Sequence, residues 1–228
     1  PMFSVILYGR NDSHGYNLHK RAAISFNALA EVMSDPDDEI LFVDYNTPDD
    51  HPTFPEAIHD TLTDKAKKVM RVLRVRPDEH ARHRLQTHLV ALESQSRNIA
   101  LRRSNPRNRW ILYTNTDMLL VSRDEKQSMS DILGELPDGF YQTPRFELPE
   151  MLWEAAFDRR DPALVARVEE ASLRSARCST SGIGSPPKSR STKSLTDRLI
   201  IWSCSTASGP SCAAGSGTTS TGSVTPNC

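Results

Sequence analysis

The chain has 228 residues, with 28 Lys and Arg against 29 Asp and Glu, and a formal net charge of −1 at pH 7. That length suits one large domain, or one domain with a tail, and no apolar run is long enough to cross a bilayer. The balance hides two unlike parts: 28 of the 29 acids lie in residues 1–174 and only Asp197 lies beyond, so the body is acidic and nucleic acid is excluded as an expected partner.

In chain order, Phe3 to Tyr8 is a short apolar run that opens on Gly9-Arg10-Asn11-Asp12 and reads as a strand with a polar loop. Leu18, Ala22, Phe26, Leu29 and Met33 then recur at three to four residues, the spacing of an amphipathic helix, which Asp35-Pro36-Asp37-Asp38 stops. Glu39 to Val43 is apolar enough to be buried on both faces, as central parallel strands are, and it ends in Asp44-Tyr45-Asn46. Thr53-Phe54-Pro55-Glu56 has capping-box spacing with Pro in the first turn, and its helix is expected to run through Ile58, Leu62 and Ala66 before a strand at Val69 to Val75.

A longer helix is expected from about Asp78, with Leu85, Leu89, Leu92, Ser96 and Ile99 on one stripe, closed by Asn105-Pro106 before a strand from Trp110 to Tyr113. Thr114-Asn115-Thr116-Asp117 follows, then apolar Met118 to Val121. Ser122-Arg123-Asp124-Glu125 has the spacing of a second capping box, opening a helix to Leu136. Phe140 to Leu148 reads as an edge strand weakened by Pro144, and Glu150 to Leu173 as two helices split at Asp161-Pro162. Strands alternating with helices in this way give an α/β fold with a doubly wound, mostly parallel sheet, spanning residues 1–173.

Residues 174–228 read differently. Ser and Thr dominate, all four cysteines (Cys178, Cys204, Cys212, Cys228) fall there, and aliphatic residues are few outside Leu195 to Trp202. Such a composition is expected to form a disordered or irregular C-terminal tail, and the abrupt loss of patterning near Leu173 suggests an altered reading frame. No Cys-x-x-Cys occurs and no histidine follows His88, so a zinc or disulfide module is disfavoured.

In an open parallel sheet, ligands bind beyond the carboxyl ends of the strands, which here carry the acids. A Gly-x-Gly-x-x-Gly turn is missing between Gly9 and Gly15, and so is a Gly-x-x-x-x-Gly-Lys-Ser/Thr loop, so phosphates need another partner. The opening strand with its polar loop, Phe42-Val43-Asp44-Tyr45-Asn46, Ser96-Arg97-Asn98-Ile99-Ala100 and Thr114-Asn115-Thr116-Asp117 together resemble the family 2-like glycosyltransferases, over roughly residues 3–150. The nucleotide-binding half of that family is a sheet of the GT-A type.

The resemblance implies a nucleotide-sugar site made of Tyr8, Arg10, Asp12, Asp44, Asn46, Arg97, Asn98, Asn115 and Asp117. Asp44 would accept a hydrogen bond from the base, and Asp117 would supply the metal-binding carboxylate of the family's Asp-x-Asp motif, with Asn115 standing where the first Asp is commoner. A divalent cation, manganese or magnesium, is the implied cofactor, and Asp44 and Asp117 are expected to meet around one donor pocket. The implied partners are a UDP- or GDP-sugar and a glycan, lipid-linked or small-molecule acceptor, with peripheral membrane contact left open. A cytoplasmic location is the default expectation. Two alternatives stand beside it: an inactive nucleotide-binding remnant, and a sugar-phosphate nucleotidyltransferase, which is expected to carry a Gly-rich basic loop where this chain has Gly9-Arg10-Asn11-Asp12.

No catalytic base is selected: Glu147, Glu150, Glu154 and Asp158 are carboxylates whose spacing favours none. Plain readings exist for the rest. Asp44 and Asn46 are also ordinary turn formers. Arg102, Arg103, Arg107 and Arg109 suit a helix carboxyl end, His80, His83 and His88 suit a solvated helix surface, and Trp110 suits the core.

Overall fold

The computed structural model describes residues 2–12, 17–122, 126–143, 145–148, 193–194, 199–204 and 222–226. In chain order come β1 (Phe3–Gly9), α1 (Leu18–Glu31), β2 (Glu39–Tyr45), α2 (Phe54–Ala57), α3 (Asp64–Val69) and β3 (Met70–Val75). Then follow α4 (Pro77–Ala81), α5 (Glu93–Leu101), β4 (Trp110–Tyr113), β5 (Met118–Ser122) and α6 (Met129–Gly134). Five strands complete the sheets: β6 (Tyr141–Thr143), β7 (Arg145–Leu148), β8 (Lys193–Ser194), β9 (Leu199–Cys204) and β10 (Gly222–Pro226).

The main sheet has the order β3-β2-β1-β4-β10-β6-β8, and its first four strands are all parallel. β5, β9 and β7 form a second, three-stranded sheet. Alternation along β1 sends Phe3, Val5 and Leu7 to one face, against Ala22, Phe26 and Leu29 of α1, and Ile6 to the other, against Ala100 of α5. Helices thus cover both faces, which is why β2 is buried along its whole length and reads as a continuous apolar run. Gly9 closes β1 where a Cβ would lie 2.8 Å from Cζ of Phe42, so only glycine fits over that ring without a shift.

Two long helices expected from periodicity are interrupted. The first breaks between α2 and α3, because Asn27 of α1 clamps the backbone there: its Nδ2 donates to the Thr61 carbonyl (3.0 Å) and its Oδ1 accepts from Thr63 N–H (2.9 Å), after which Thr63 caps α3. The second is the helix expected from Asp78 to Ile99. The first half of its apolar stripe finds no surface to cover, Leu85 being 92% and Leu89 55% exposed, while Leu92 and Ile99 pack against the core; residues 82–92 form a strap of turns and extended chain between α4 and α5. The capping box that opens α6 is Ser128 with Asp131, not the one expected at Ser122, which instead ends β5.

The expected Phe140 to Leu148 strand is split: β6 joins the main sheet and β7 the small one. The tail contributes strands as well, since β9 pairs with β5 and β7, and β10 lies antiparallel between β4 and β6. Leu199-Ile200-Ile201-Trp202 is the one β-prone apolar run of the tail and supplies the longest of these strands. The helices expected over residues 150–173, including Glu150, Glu154 and Asp158, lie outside the described residues, as do Cys178, Cys212 and Cys228. Among the described residues no helix is long and apolar enough to cross a membrane.

Candidate functional site

Strand order reverses at β1: the chain moves outward from β1 through β2 to β3, then returns to place β4 on the other side of β1. A reversal of this kind leaves a crevice beyond the carboxyl ends of the two strands that flank it, because the crossovers depart in opposite directions. The loops that follow β1 and β4 border it, and the Thr116 hydroxyl ties them together by donating to the Tyr8 carbonyl at 2.6 Å.

Arg97 reaches this crevice from the middle of α5. Its guanidinium lies 5.8 Å from the ring centres of both Tyr8 and Tyr113, is paired to Glu93 at 2.6 Å, and is within 3.5 Å of the Thr114 carbonyl and of Asn115 Oδ1. Two aromatic faces and one carboxylate thus orient a cation whose side chain is 18% exposed. Burial first, and then the Glu93 carboxylate, hold the Tyr8 hydroxyl's pKa above its ordinary value; burial does the same for Tyr113, so both phenols stay neutral donors.

Arg10 and Asp12 form a pair at 3.1 Å, and Arg10 also contacts the Val90 carbonyl of the strap at 3.5 Å. Asn46, in the left-handed region with φ 58°, donates from Nδ2 to the same carbonyl at 2.8 Å. The strap is therefore latched to two of the residues expected in the site.

Asp44 lies beneath this surface. It is fully buried, its Oδ1 accepts from the Thr47 hydroxyl and from Phe54 N–H (both 2.8 Å), and Thr47 Oγ1 in turn accepts from Asn11 N–H (2.9 Å). One carboxylate oxygen thereby joins the loops after β1 and β2 and holds the start of α2. Its Oδ2 is buried without a hydrogen bond, 4.0 Å from Arg74 Nε, and burial pushes the Asp44 pKa up.

Asp117 occupies the other side. Its Oδ2 is 2.5 Å from the guanidinium of Arg21, which projects from α1 and is only 11% exposed. Asp44 and Asp117 share the carboxyl edge but not a partner: β1 stands between their strands, and one acid is interior while the other is in an ion pair. Tyr8, Arg97 and Asn115 are brought together. Asn98 is exposed on α5, one position past Arg97, and Asn115 is exposed at the crevice rim.

Asp117 is the carboxylate expected from the sequence to hold a divalent cation. It is engaged by Arg21, Asn115 is a neutral amide, and among the described residues no three His, Cys, Asp or Glu side chains gather into a metal-holding group, so this donor set does not fit one. The histidine trio also divides: His80 Nδ1 lies 3.2 Å from the Tyr45 hydroxyl, while His83 lies 3.2 Å from Gln86.

Arg21, Thr47, Glu93 and Tyr113 were not singled out from the sequence. A cation inside the apolar spacing of α1, just before Ala22 and Ala23, was the one available signal for Arg21. Thr47 lies three positions from Asp44 and Glu93 four from Arg97, but their further partners, Asn11 and Tyr8, lie 36 and 85 positions away and leave no local mark.

No protein-family model and no curated protein matches this chain. Solved structures of similar fold include S. aureus TarS residues 1–349, at 18% identity over 65% of this chain and 36% of that one, with a TM-score of 0.41. The same protein in complex with UDP aligns at 13% identity over 89% and 60% of the two chains, TM-score 0.43. The galactosyltransferase LgtC, in complex with donor and acceptor sugar analogs, aligns at 12% identity over 61% and 46%, TM-score 0.37. This chain spans between 36% and 60% of those lengths, and the likeness is one of fold alone.

Proposed function

We propose that the chain binds a nucleoside-diphosphate sugar in the crevice between β1 and β4 and transfers the sugar to an acceptor hydroxyl, as a family 2-like glycosyltransferase. The observation that carries this reading is Arg97, a guanidinium oriented by Tyr8, Tyr113 and Glu93 at the point where the strand order reverses. A fixed guanidinium at such a crevice suits a diphosphate, which takes bidentate donors and gains charge as it leaves.

In the transfer, the bond from the sugar's anomeric carbon to the diphosphate oxygen breaks, a bond to the acceptor oxygen forms, and the acceptor's proton passes to a base. Arg97 stabilises the charge collecting on the leaving diphosphate. Asn115 offers an amide at the rim, Asn46 holds the 82–92 strap through the Val90 carbonyl, and the Arg10–Asp12 pair borders the loop after β1. Asp44 acts as a positioning residue, holding that loop through Thr47. A divalent cation would have to take Asp117 from Arg21, and none of these steps depends on one.

Equilibrium titration with UDP- and GDP-sugars, beside a turnover assay, tests the reading. Arg97→Ala is expected to weaken nucleotide binding at least about tenfold, ~1.4 kcal/mol. Unchanged affinity would remove the crevice from consideration. Binding without turnover would make the chain a nucleotide-binding protein rather than a transferase.

A further inference from the structure

The strap over residues 82–92 holds the most exposed apolar side chain of the described residues. Leu85 is 92% exposed, with Leu89 at 55% and Val90 at 52% close behind in the chain. Three exposed apolar side chains within six residues of chain form a candidate contact surface. The backbone beneath them is fastened: Val90's carbonyl accepts from Asn46 and lies within reach of Arg10, Leu89 N–H donates to Thr87 Oγ1 at 3.1 Å, and Thr87 N–H donates to the His83 carbonyl at 3.1 Å. The leucines are thus presented by an anchored loop.

The charge around them is equally particular. Residues 1–174 hold 28 acids against 23 Lys and Arg, yet no acid occurs between Glu79 and Glu93, a stretch that carries Arg82 and Arg84. Arg84 is exposed, and Arg82 is 72% exposed, meeting Glu79 at 3.0 Å in a pair open enough to water to be weak. An apolar tip set among cations matches a surface that is apolar within and anionic at its boundary. A second copy of the chain is a poorer match, because a two-fold contact through Leu85 would set these arginines against their own equivalents.

We infer that the 82–92 strap docks the protein on a bilayer bearing anionic lipids, with Leu85 and Leu89 entering the headgroup boundary and Arg82 and Arg84 meeting lipid phosphates. The latch to Arg10 and Asn46 sets the β1–β4 crevice beside that surface, so an acceptor presented by the membrane would lie close to the site. Docking does not depend on the transfer activity and is measured without it.

Co-sedimentation with vesicles of phosphatidylcholine alone, or mixed with phosphatidylglycerol, tests the inference on the full chain. The wild-type protein is expected to bind the anionic vesicles in a salt-sensitive manner, and Leu85→Glu/Leu89→Glu to lower the vesicle partition coefficient about tenfold or more, two apolar groups and two like charges being opposed at once. Both positions are exposed, so the melting temperature and nucleotide affinity of the variant should be unchanged. Leu85→Trp provides a second readout: its added emission should shift to the blue on anionic vesicles. Absence of wild-type binding, equal binding by the double variant, or a dimer that the double variant dissociates without any vesicle binding would each overturn the proposal.

Discussion

The two edges of the parallel sheet handle charge in opposite ways. At the amino edge, Asp38 and Glu39 are buried and their oxygens are taken up by the fold. Asp38 accepts from Phe3 N–H (3.0 Å), from Asp35 N–H (3.1 Å) and from the Ser130 hydroxyl; Glu39 accepts from Ser4, from Asn105 N–H and from Arg71. At the carboxyl edge, the pairs Arg10–Asp12, Arg21–Asp117 and Arg97–Glu93 remain partly open to solvent. A cleft of about 730 Å³ nevertheless opens at the amino edge, between Lys65, Lys68, Arg71 and Arg103 among others. α1 and α5 end there, so those cations lie where helix carboxyl ends carry negative partial charge. The edge that holds this cleft fastens the strands, and the edge with orientable charge borders the crevice.

The contrast can be broken most forcefully at Asp38. Asp38→Ala would strand the buried Phe3 N–H and unfasten α6, so urea denaturation should show a loss of about 3 kcal/mol, with nucleotide affinity of the folded fraction unchanged. A matching loss of affinity would mean that the two edges are not independent.

A smaller effect is expected at Arg21. Arg21→Ala releases Asp117, and manganese should then strengthen nucleotide binding about fivefold, near 1 kcal/mol, while the wild-type protein responds less than about twofold. Calorimetric titration with and without manganese distinguishes these cases. A strong manganese response in the wild-type protein would show that Arg21 does not hold Asp117 against an ion.

The smallest effect concerns Asp44, whose folded pKa is raised by burial. At low pH both folded and unfolded chains carry this proton, and the acid behaves as an amide would. As pH climbs above the ordinary carboxylate range, the unfolded chain releases the proton before the folded one does, so Asp44 contributes less stability until pH has passed its raised pKa. Asp44→Asn keeps an oxygen for Thr47 and Phe54 and should gain on the wild-type protein over that interval by about 1 kcal/mol, then hold level. A difference independent of pH would show that Oδ2 is solvated. The carboxylates of Asp35, Glu56 and Asp131, held low chiefly by hydrogen bonds, act in the opposite sense, their stabilisation being lost as pH falls through their depressed pKa values.

Much of the architecture was legible from local pattern. Phe3 to Tyr8, Glu39 to Val43 and Trp110 to Tyr113 are apolar runs because helices cover both faces of these strands, and a run buried on both sides needs no alternation. The stripe from Leu18 to Met33 is a helix because a partner surface exists for it on β1 and β2. The equally regular stripe from Leu85 to Leu92 is not a helix. Asn46 captures the Val90 carbonyl, no sheet face is left for Leu85, and helical spacing without a surface to bury has little to sustain it.

What the sequence determined by itself is therefore the kind of element formed by the patterned segments that find a surface to cover, and the edge of the sheet on which Asp12, Asp44 and Asp117 lie, since strand polarity alone carries those loops to that edge. Tertiary structure alone decided which charge meets which. Arg21 and Asp117 are 96 positions apart, and Asp44 is sealed under Thr47 and Phe54 while Asp117 stays at the surface. The reason is one of range: periodicity records the burial of a face within a few residues, whereas a charge is partnered by whatever the fold brings within a few ångströms of it, and that proximity has no local signature.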